Sequence, residues 1–131
     1  MRKKKPTRKR LVKLLDQLQT KILKEIYDSC VQCGSTKQLG TGHIFSRRVY
    51  ATRWDFVAGG NAYLQCWGDN FRHTRDQWPY INWYQNLYGG SALIKLRKRY
   101  DNVKPVTTPQ LEDLLISMQR TFKDLVNNIG E

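Results

Sequence analysis

Two pairs of side chains with metal-binding chemistry constrain this chain more than any other feature of its sequence. Cys30 and Cys33 form the first pair and Cys66 and Asp69 the second, each with two residues between its members. Two ligands three positions apart can chelate one ion from a tight turn, so the pairs predict a tetrahedral zinc knuckle. Carboxylate is a less common zinc ligand than thiolate. His73 or a water could therefore fill the fourth position, and a knuckle without metal is the alternative.

The use of cysteine favours a metal over a disulfide. The chain has three cysteines, which cannot all pair within it, and it shows no secretory features. A thioredoxin-like redox role for the first pair would need a strand before it and a helix after it. Here a helical pattern precedes Cys30, and Gly34 and Ser35 follow Cys33, so metal binding is the better interpretation.

Charge is the next constraint. The 131 residues carry a formal net charge of +12, an excess that attracts polyanions, so nucleic acid is the expected partner. Seven of the first ten residues are Lys or Arg, which predicts a flexible basic arm over residues 1–10 that contacts phosphates.

The apolar pattern argues against a membrane partner. No run approaches the roughly 20 apolar residues that span a bilayer, and no signal-type apolar segment follows the basic start. A helix lying on a membrane surface would carry Trp and Phe opposite its basic face, whereas the first helical pattern carries Leu and Ile there. We therefore expect a cytoplasmic protein, in the host cytoplasm if the chain is viral.

Apolar spacing predicts an α+β fold in which helices flank a small β-containing centre. Helices are expected over residues 11–26, 70–77, 80–87, 92–100 and 109–129, and strands over 40–45, 48–54 and 63–66. One domain over residues 11–100 follows, and residues 101–131 supply a helix that packs on it or on a partner subunit. The long apolar stripes would also suit a homodimer interface. Six aromatic side chains could stack on unpaired bases, but most of them are expected in the core: Trp54, Trp67, Trp78, Trp83, Tyr84 and Tyr88.

The residues between and after the two pairs resemble a known family. Gly42 and His43 lie between the pairs, Asn61 precedes the second pair by a few positions, and Asn70 follows it directly. With the two pairs themselves, this order resembles the HNH endonucleases, and among them the phage recombination endonucleases of the NinG/Rap type. The resemblance covers roughly the first two-thirds of the chain.

The resemblance implies a ββα-metal core, in which a β-hairpin is followed by a helix and the active site lies between them. It further implies that His43 is the general base, that Asn61 holds the loop that orients it, and that Asn70 binds a catalytic Mg²⁺ or Mn²⁺. A neutral imidazole can accept a proton from water near pH 7, and an amide oxygen suits a hard cation. His73, three residues after Asn70, is expected as a second cation ligand or a phosphate contact.

Two positions depart from the family pattern. Many HNH proteins have an aspartate before the catalytic histidine as a second cation ligand, and here that position is Gly42. In this respect the chain resembles nucleases with a Gly-His pair, in which one asparagine is the sole protein ligand. The other departure is Asp69, which stands where the family has its fourth cysteine.

The predicted function is metal-dependent hydrolysis of DNA phosphodiester bonds. The resemblance favours branched or junction DNA in phage-type recombination as the substrate. One alternative is a non-catalytic zinc-knuckle DNA-binding protein in which His43 is structural, and another is a nuclease subunit that acts only within a larger assembly. DNA contacts are expected from the basic residues around the site and in the arm: Arg47, Arg48, Arg72, Arg75, Lys3, Lys4, Lys5 and Arg8.

Overall fold

The computed structural model describes residues 5–128 and shows an α+β fold. Within that range there are six helices and a two-stranded sheet. In chain order the elements are α1 (Arg8–Ile26), β1 (Leu39–His43), α2 (Tyr50–Arg53), β2 (Ala62–Cys66), α3 (Trp67–Arg75), α4 (Trp78–Tyr88), α5 (Gly90–Asp101) and α6 (Thr108–Asn128). None of the helices in this range is long and apolar enough to span a bilayer.

The two strands form an antiparallel pair at the centre of the molecule. Leu39 lies opposite Cys66 and His43 opposite Ala62, so the last residue of β1 faces the first of β2. Helix α3 begins directly after β2 and packs against both strands. The register of the two strands places His43 at one end of the sheet and Cys66 at the other.

Helices α1 and α6 pack along each other around an aliphatic core. Leu11, Leu15 and Ile22 of α1 meet Leu111 and Met118 of α6, and each of these side chains is at most 1% exposed. They follow the predicted helical spacing, so burying one stripe of each helix accounts for the pairing. Trp54, from the connection between the strands, completes this core.

A second core, rich in tyrosine, lies on the other side of the sheet. Tyr63 of β2 meets Tyr80 and Tyr84 of α4, with Ile44 and Leu96 completing the cluster. All five side chains are at most 1% exposed. The sheet is thus held between an aliphatic helix pair and an aromatic cluster.

The start of the first helix differs from the prediction. Helix α1 begins at Arg8, inside the expected arm, because the Thr7 hydroxyl caps it by accepting a hydrogen bond from the Arg10 amide at 3.1 Å. The Arg8 guanidinium donates to the Val106 carbonyl at 2.6 Å and so ties α1 to the start of α6. The flexible-arm prediction is therefore wrong for residues 8–10. Lys3, Lys4 and Ile129 lie outside the described residues.

The predicted strand over residues 48–54 is wrong, because Tyr50–Arg53 is a short helix. The residue types favour a strand, but tertiary contacts outweigh that preference. Asp16 of α1 accepts hydrogen bonds from Arg53 Nε at 3.0 Å and from Trp54 Nε1 at 2.9 Å. These bonds fold the segment against α1, where it cannot pair with the sheet.

Candidate functional site

Cys30, Cys33, Cys66 and Asp69 form a cluster of candidate metal ligands. Its first half is a tight turn closed by backbone hydrogen bonds. The Gly34 amide donates to the Cys30 carbonyl and the Cys30 amide donates to the Ser35 carbonyl, each at 2.9 Å. Gly34 has a φ of +81°, a backbone conformation that glycine adopts at little cost. The turn brings the Cys30 and Cys33 thiols to the same side.

The second half of the cluster is the first turn of α3. Cys66 is the N-cap residue, and its Sγ accepts a hydrogen bond from the Asp69 amide at 3.4 Å. The N-terminus of a helix favours negative charge, which suits a thiolate and a carboxylate placed there. The cap that starts α3 therefore also supplies two of the four candidate ligands.

The four ligand atoms lie within 4.8 Å of one another. Cys33 Sγ and Cys66 Sγ are 3.7 Å apart, and Cys30 Sγ lies 3.3 Å from Asp69 Oδ2. A tetrahedral zinc with Zn–S distances of about 2.3 Å holds two sulfurs roughly 3.8 Å apart. The cluster of three cysteines and one aspartate thus has a spacing close to that of a tetrahedral zinc site, and His73 is not part of it.

The protonation states within the cluster depend on what lies at its centre. Burial raises the pKa of Asp69, but hydrogen bonds from the Cys33, Cys30 and Cys66 thiols and the nearby Arg72 outweigh burial and hold it below its ordinary value. The Asp69 carboxylate in turn raises the pKa of Cys33 to about 12. A divalent cation reverses this, because it favours thiolate over thiol. The donor set is therefore that of a cation site.

A cavity of about 540 Å³ opens between α1, β1 and α3. Four parts of the chain line it: Asp16, Gln19 and Thr20 of α1, Thr41 and His43 of β1, Arg47 of the connection, and Asn70 and Thr74 of α3. His43 and Asn70, which were singled out from sequence, thus face the same space. Asn70 directly follows Asp69, so the metal cluster and the cavity share the first turns of α3.

The hydrogen bonds of His43 determine which ring nitrogen is free. His43 Nε2 lies 2.8 Å from the Arg53 carbonyl, which can only accept, so Nε2 carries the proton and Nδ1 keeps its lone pair. Gln19 Nε2 donates to the same carbonyl at 3.1 Å. Burial lowers the pKa of His43 to about 4, and the nearby charges of Arg53 and Arg47 act in the same direction. The imidazole is therefore neutral at pH 7 with one nitrogen able to accept a proton.

Asn61 holds the backbone that follows His43. Its Oδ1 accepts from the Phe45 amide at 2.8 Å and its Nδ2 donates to the Phe45 carbonyl at 2.9 Å, while the side chain is fully buried. The Ile44 amide also donates to the Asn61 carbonyl. Asn61 does not line the cavity, so its contribution is to the position of residues 44–45.

Gly42 leaves no room for a side chain. A Cβ there would lie 2.1 Å from Gln65 Oε1 and 2.8 Å from Gln65 Cβ, because the Gln65 side chain crosses the glycine. The aspartate found at this position in many HNH proteins is thus sterically excluded. The carboxylate that lines the cavity is instead Asp16 of α1, which is paired with Arg53.

His73 turns away from the cavity that Asn70 faces. Its Nε2 lies 3.1 Å from the Ile44 carbonyl, and its ring packs edge-on against Tyr80. Its Nδ1 is buried with no hydrogen-bond partner among the described residues. A step of three residues on a helix rotates the side chain by about 60°, which here directs His73 towards β1. The structure does not bring it together with His43 and Asn70.

The basic residues predicted to contact DNA differ in their surroundings. All of those described are exposed, and Arg47 alone among them lines the cavity; the others are Arg48, Arg72, Arg75, Lys5 and Arg8. Arg72 lies 3.9 Å from Asp69 across one turn of α3. Arg8 is exposed, but its guanidinium is engaged with Val106, which leaves it less suited to bind phosphate than the others.

Sequence reasoning missed the wall of the cavity that α1 provides. Asp16, Gln19 and Thr20 lie within about one turn of each other on a helix whose apolar stripe predicts a core or dimer face but no cavity wall. The sequence contains one indication of this wall. Gln19 occupies the stripe between Leu15 and Ile22, and a polar residue at a buried position needs a specific partner.

Comparison of the chain with protein-family models, with curated proteins and with solved structures found no match in any of the three. The function is therefore inferred from the geometry of the cluster and the cavity.

Proposed function

We propose that this protein is a metal-dependent DNA endonuclease of the HNH type, with His43 as the general base. One observation carries the proposal: a neutral histidine with a free Nδ1 shares a cavity with Asn70 and Arg47 in a strongly basic chain. The order β1, β2, α3 is compatible with a ββα core and supports the proposal.

The chemistry assigns tasks to three of the cavity residues. His43 Nδ1 accepts the proton of the water whose oxygen bonds to phosphorus, and the Arg53 carbonyl holds the ring in the tautomer that can do so. The P–O bond to the leaving sugar oxygen breaks, and solvent protonates that oxygen. Arg47 pairs with the phosphate oxygens. Asn70 would supply an amide oxygen to Mg²⁺ or Mn²⁺, and a cation there would stabilise negative charge on the phosphate.

The cluster of three cysteines and Asp69 is proposed to hold a structural zinc. Its position supports this role, because it ties the turn at Cys30 to the first turn of α3 and so fixes the helix that carries Asn70. All four positions are occupied by protein ligands, as is usual for structural zinc sites.

The finer parts of the proposal rest on the sequence resemblance. These are branched DNA as the substrate and a place in phage-type recombination. Both require attraction to DNA, which the charge of +12 supports. The proposed cytoplasmic location and homodimer rest instead on the apolar pattern of the sequence.

A cleavage assay tests the proposal. Wild type, His43→Ala and Asn70→Ala are incubated with supercoiled plasmid and with a synthetic four-way junction, with and without Mg²⁺ or Mn²⁺. Asn86→Ala is the matched control for Asn70→Ala, because Asn86 is an exposed helical asparagine outside the cavity.

We expect wild type and Asn86→Ala to cut only with a divalent cation, and His43→Ala to lose on the order of 10²-fold or more in rate at unchanged DNA affinity. Asn70→Ala should recover part of its rate at high Mg²⁺ or with Mn²⁺, whereas His43→Ala should not. Failure of wild type to cut either DNA with any divalent cation, together with tight binding, would make the protein a zinc-knuckle DNA-binding module. Cleavage by His43→Ala at the wild-type rate would remove His43 from the mechanism.

A further inference from the structure

Two large aromatic side chains on α3 are exposed. Trp67 and Phe71 are each 61% exposed and lie four residues apart, so they are neighbours on one face of the helix. Neither ring belongs to either core. Burying these two rings would stabilise the fold, so their exposure is energetically unfavourable.

The exposed rings lie on the side of α3 that also carries two residues of the cavity wall. Asn70 and Thr74 line the cavity from α3, and helical geometry places Trp67 and Phe71 within about 100° of them around the helix axis. A strand whose phosphate enters the cavity would therefore pass beside these rings.

The charges around the rings are positive. The Arg75 guanidinium lies 4.9 Å from the centre of the Phe71 ring, and Arg72, on the same helix, is two-thirds exposed. The single acidic residue of α3 is Asp69, which is buried in the metal cluster. The aromatic surface thus has a basic rim, which complements a polyanion.

We propose that Trp67 and Phe71 form a stacking surface for unpaired nucleobases of a DNA strand whose backbone enters the cavity. The assignment of the cavity to DNA rests on the proposed function; the stacking surface adds that the enzyme selects DNA with unpaired bases next to the phosphate. Flat rings, a guanidinium and positive charge together are the features that bind bases in single strands.

A protein partner fits this surface less well. A stable protein interface buries about 1,200 Å² or more in total, far more than two rings on one helical face provide. Such an interface also excludes charge from its centre, whereas Arg75 lies directly over Phe71.

Binding measured without added divalent cation separates stacking from cleavage. The probes are a fluorescently labelled oligothymidine of about twelve nucleotides, the same length of chain made of abasic sites, and a blunt duplex. The variants are Trp67→Ala, Phe71→Ala and the double substitution. Leu87→Ala is the control, because Leu87 is also 61% exposed but lies on α4.

We expect each single substitution to weaken oligothymidine binding by roughly 5- to 100-fold, the usual range for losing one base stack. Abasic and duplex binding should change less than twofold, and Leu87→Ala should match wild type on all three probes. Trp67→Phe should recover part of the loss. The salt dependence of binding should stay the same, because no phosphate contact is removed.

Equal losses on oligothymidine and abasic chains would show that the rings do not stack on bases and would overturn the proposal. Unchanged binding by the double variant would overturn it too. Sedimentation of wild type as a dimer and of the double variant as a monomer would assign the surface to a second copy of the chain and likewise overturn it. None of these results concerns His43, whose role is decided by cleavage alone.

Discussion

The two cores of this protein are built from different residues and hold different parts of the structure in place. Between α1 and α6 the buried side chains are almost all aliphatic. The other core contains three tyrosines, and each hydroxyl donates to a backbone carbonyl: Tyr63 to Gly60, Tyr80 to Gly42 and Tyr84 to Gly59. Aliphatic burial is non-directional, whereas these hydrogen bonds fix particular carbonyls. The aromatic core thus stabilises the fold and also positions the backbone beside His43 and Asn61.

Removing one of the four candidate zinc ligands should have the largest effect, because the zinc ties the turn at Cys30 to the first turn of α3. Cys30→Ser is expected to lose the zinc, about one per chain, and more than about 4 kcal/mol of unfolding free energy. Elemental analysis and thermal denaturation measure both quantities. Ser29→Ala, at the adjacent position, should keep its metal. A folded wild type without zinc would contradict the assignment, and Asp69→Cys should tighten zinc binding if Asp69 is the fourth ligand.

A cavity in the aliphatic core should reduce stability without impairing the site. Met118→Ala on α6 is expected to cost about 2–5 kcal/mol of unfolding free energy, because the side chain is fully buried. At temperatures where the variant is folded, its cleavage rate should equal that of wild type. Ile116→Ala is the control, since Ile116 is 49% exposed on the same helix. A rate loss in folded Met118→Ala would show that the helix pair also positions the cavity residues.

Removing one hydroxyl from the aromatic core should cost little stability but should slow cleavage. Tyr80→Phe loses the 2.9 Å hydrogen bond to the Gly42 carbonyl and should cost about 1 kcal/mol of stability. Because Gly42 precedes His43, the cleavage rate should fall by about tenfold or more. Tyr50→Phe, next to the aliphatic core, should leave the rate unchanged. If Tyr80→Phe and Tyr50→Phe cleave equally fast, the proposed difference between the cores is wrong.

The last effect expected is on the pH dependence of stability. The pKa of His43 is lowered from 6.5 to about 4, so as the pH falls the unfolded chain takes up this proton first. The contribution of His43 to stability is therefore complete above about pH 6.5 and is lost progressively towards pH 4. The lowered pKa of His73 acts in the same direction. Denaturant titrations at pH 7 and pH 5 should show that wild type loses more unfolding free energy over this range than His43→Ala does. Equal losses would contradict the prediction.

Local spacing explains why part of the site was predictable from sequence. Cys30, Cys33, Cys66 and Asp69 come together because each pair lies within one turn, and the helical stripes of α1 and α6 predict their own burial. The α1 wall of the cavity and the turn at Tyr50 depend on contacts between residues far apart in sequence, such as Asp16 with Arg53. Spacing along the chain carries no information about such contacts.

The exclusion at Gly42 has a consequence for how this site can be changed. Gly42→Asp alone would force a new carboxylate into the Gln65 side chain. Gln65→Gly, which removes the Cβ at 2.8 Å together with the rest of the side chain, would clear that space for a subsequent Gly42→Asp. The two positions are therefore epistatic: a carboxylate next to His43 is accessible by one order of mutations and blocked by the other. Anyone engineering a tighter cation site here must begin on β2, at the residue that does not bind the ion.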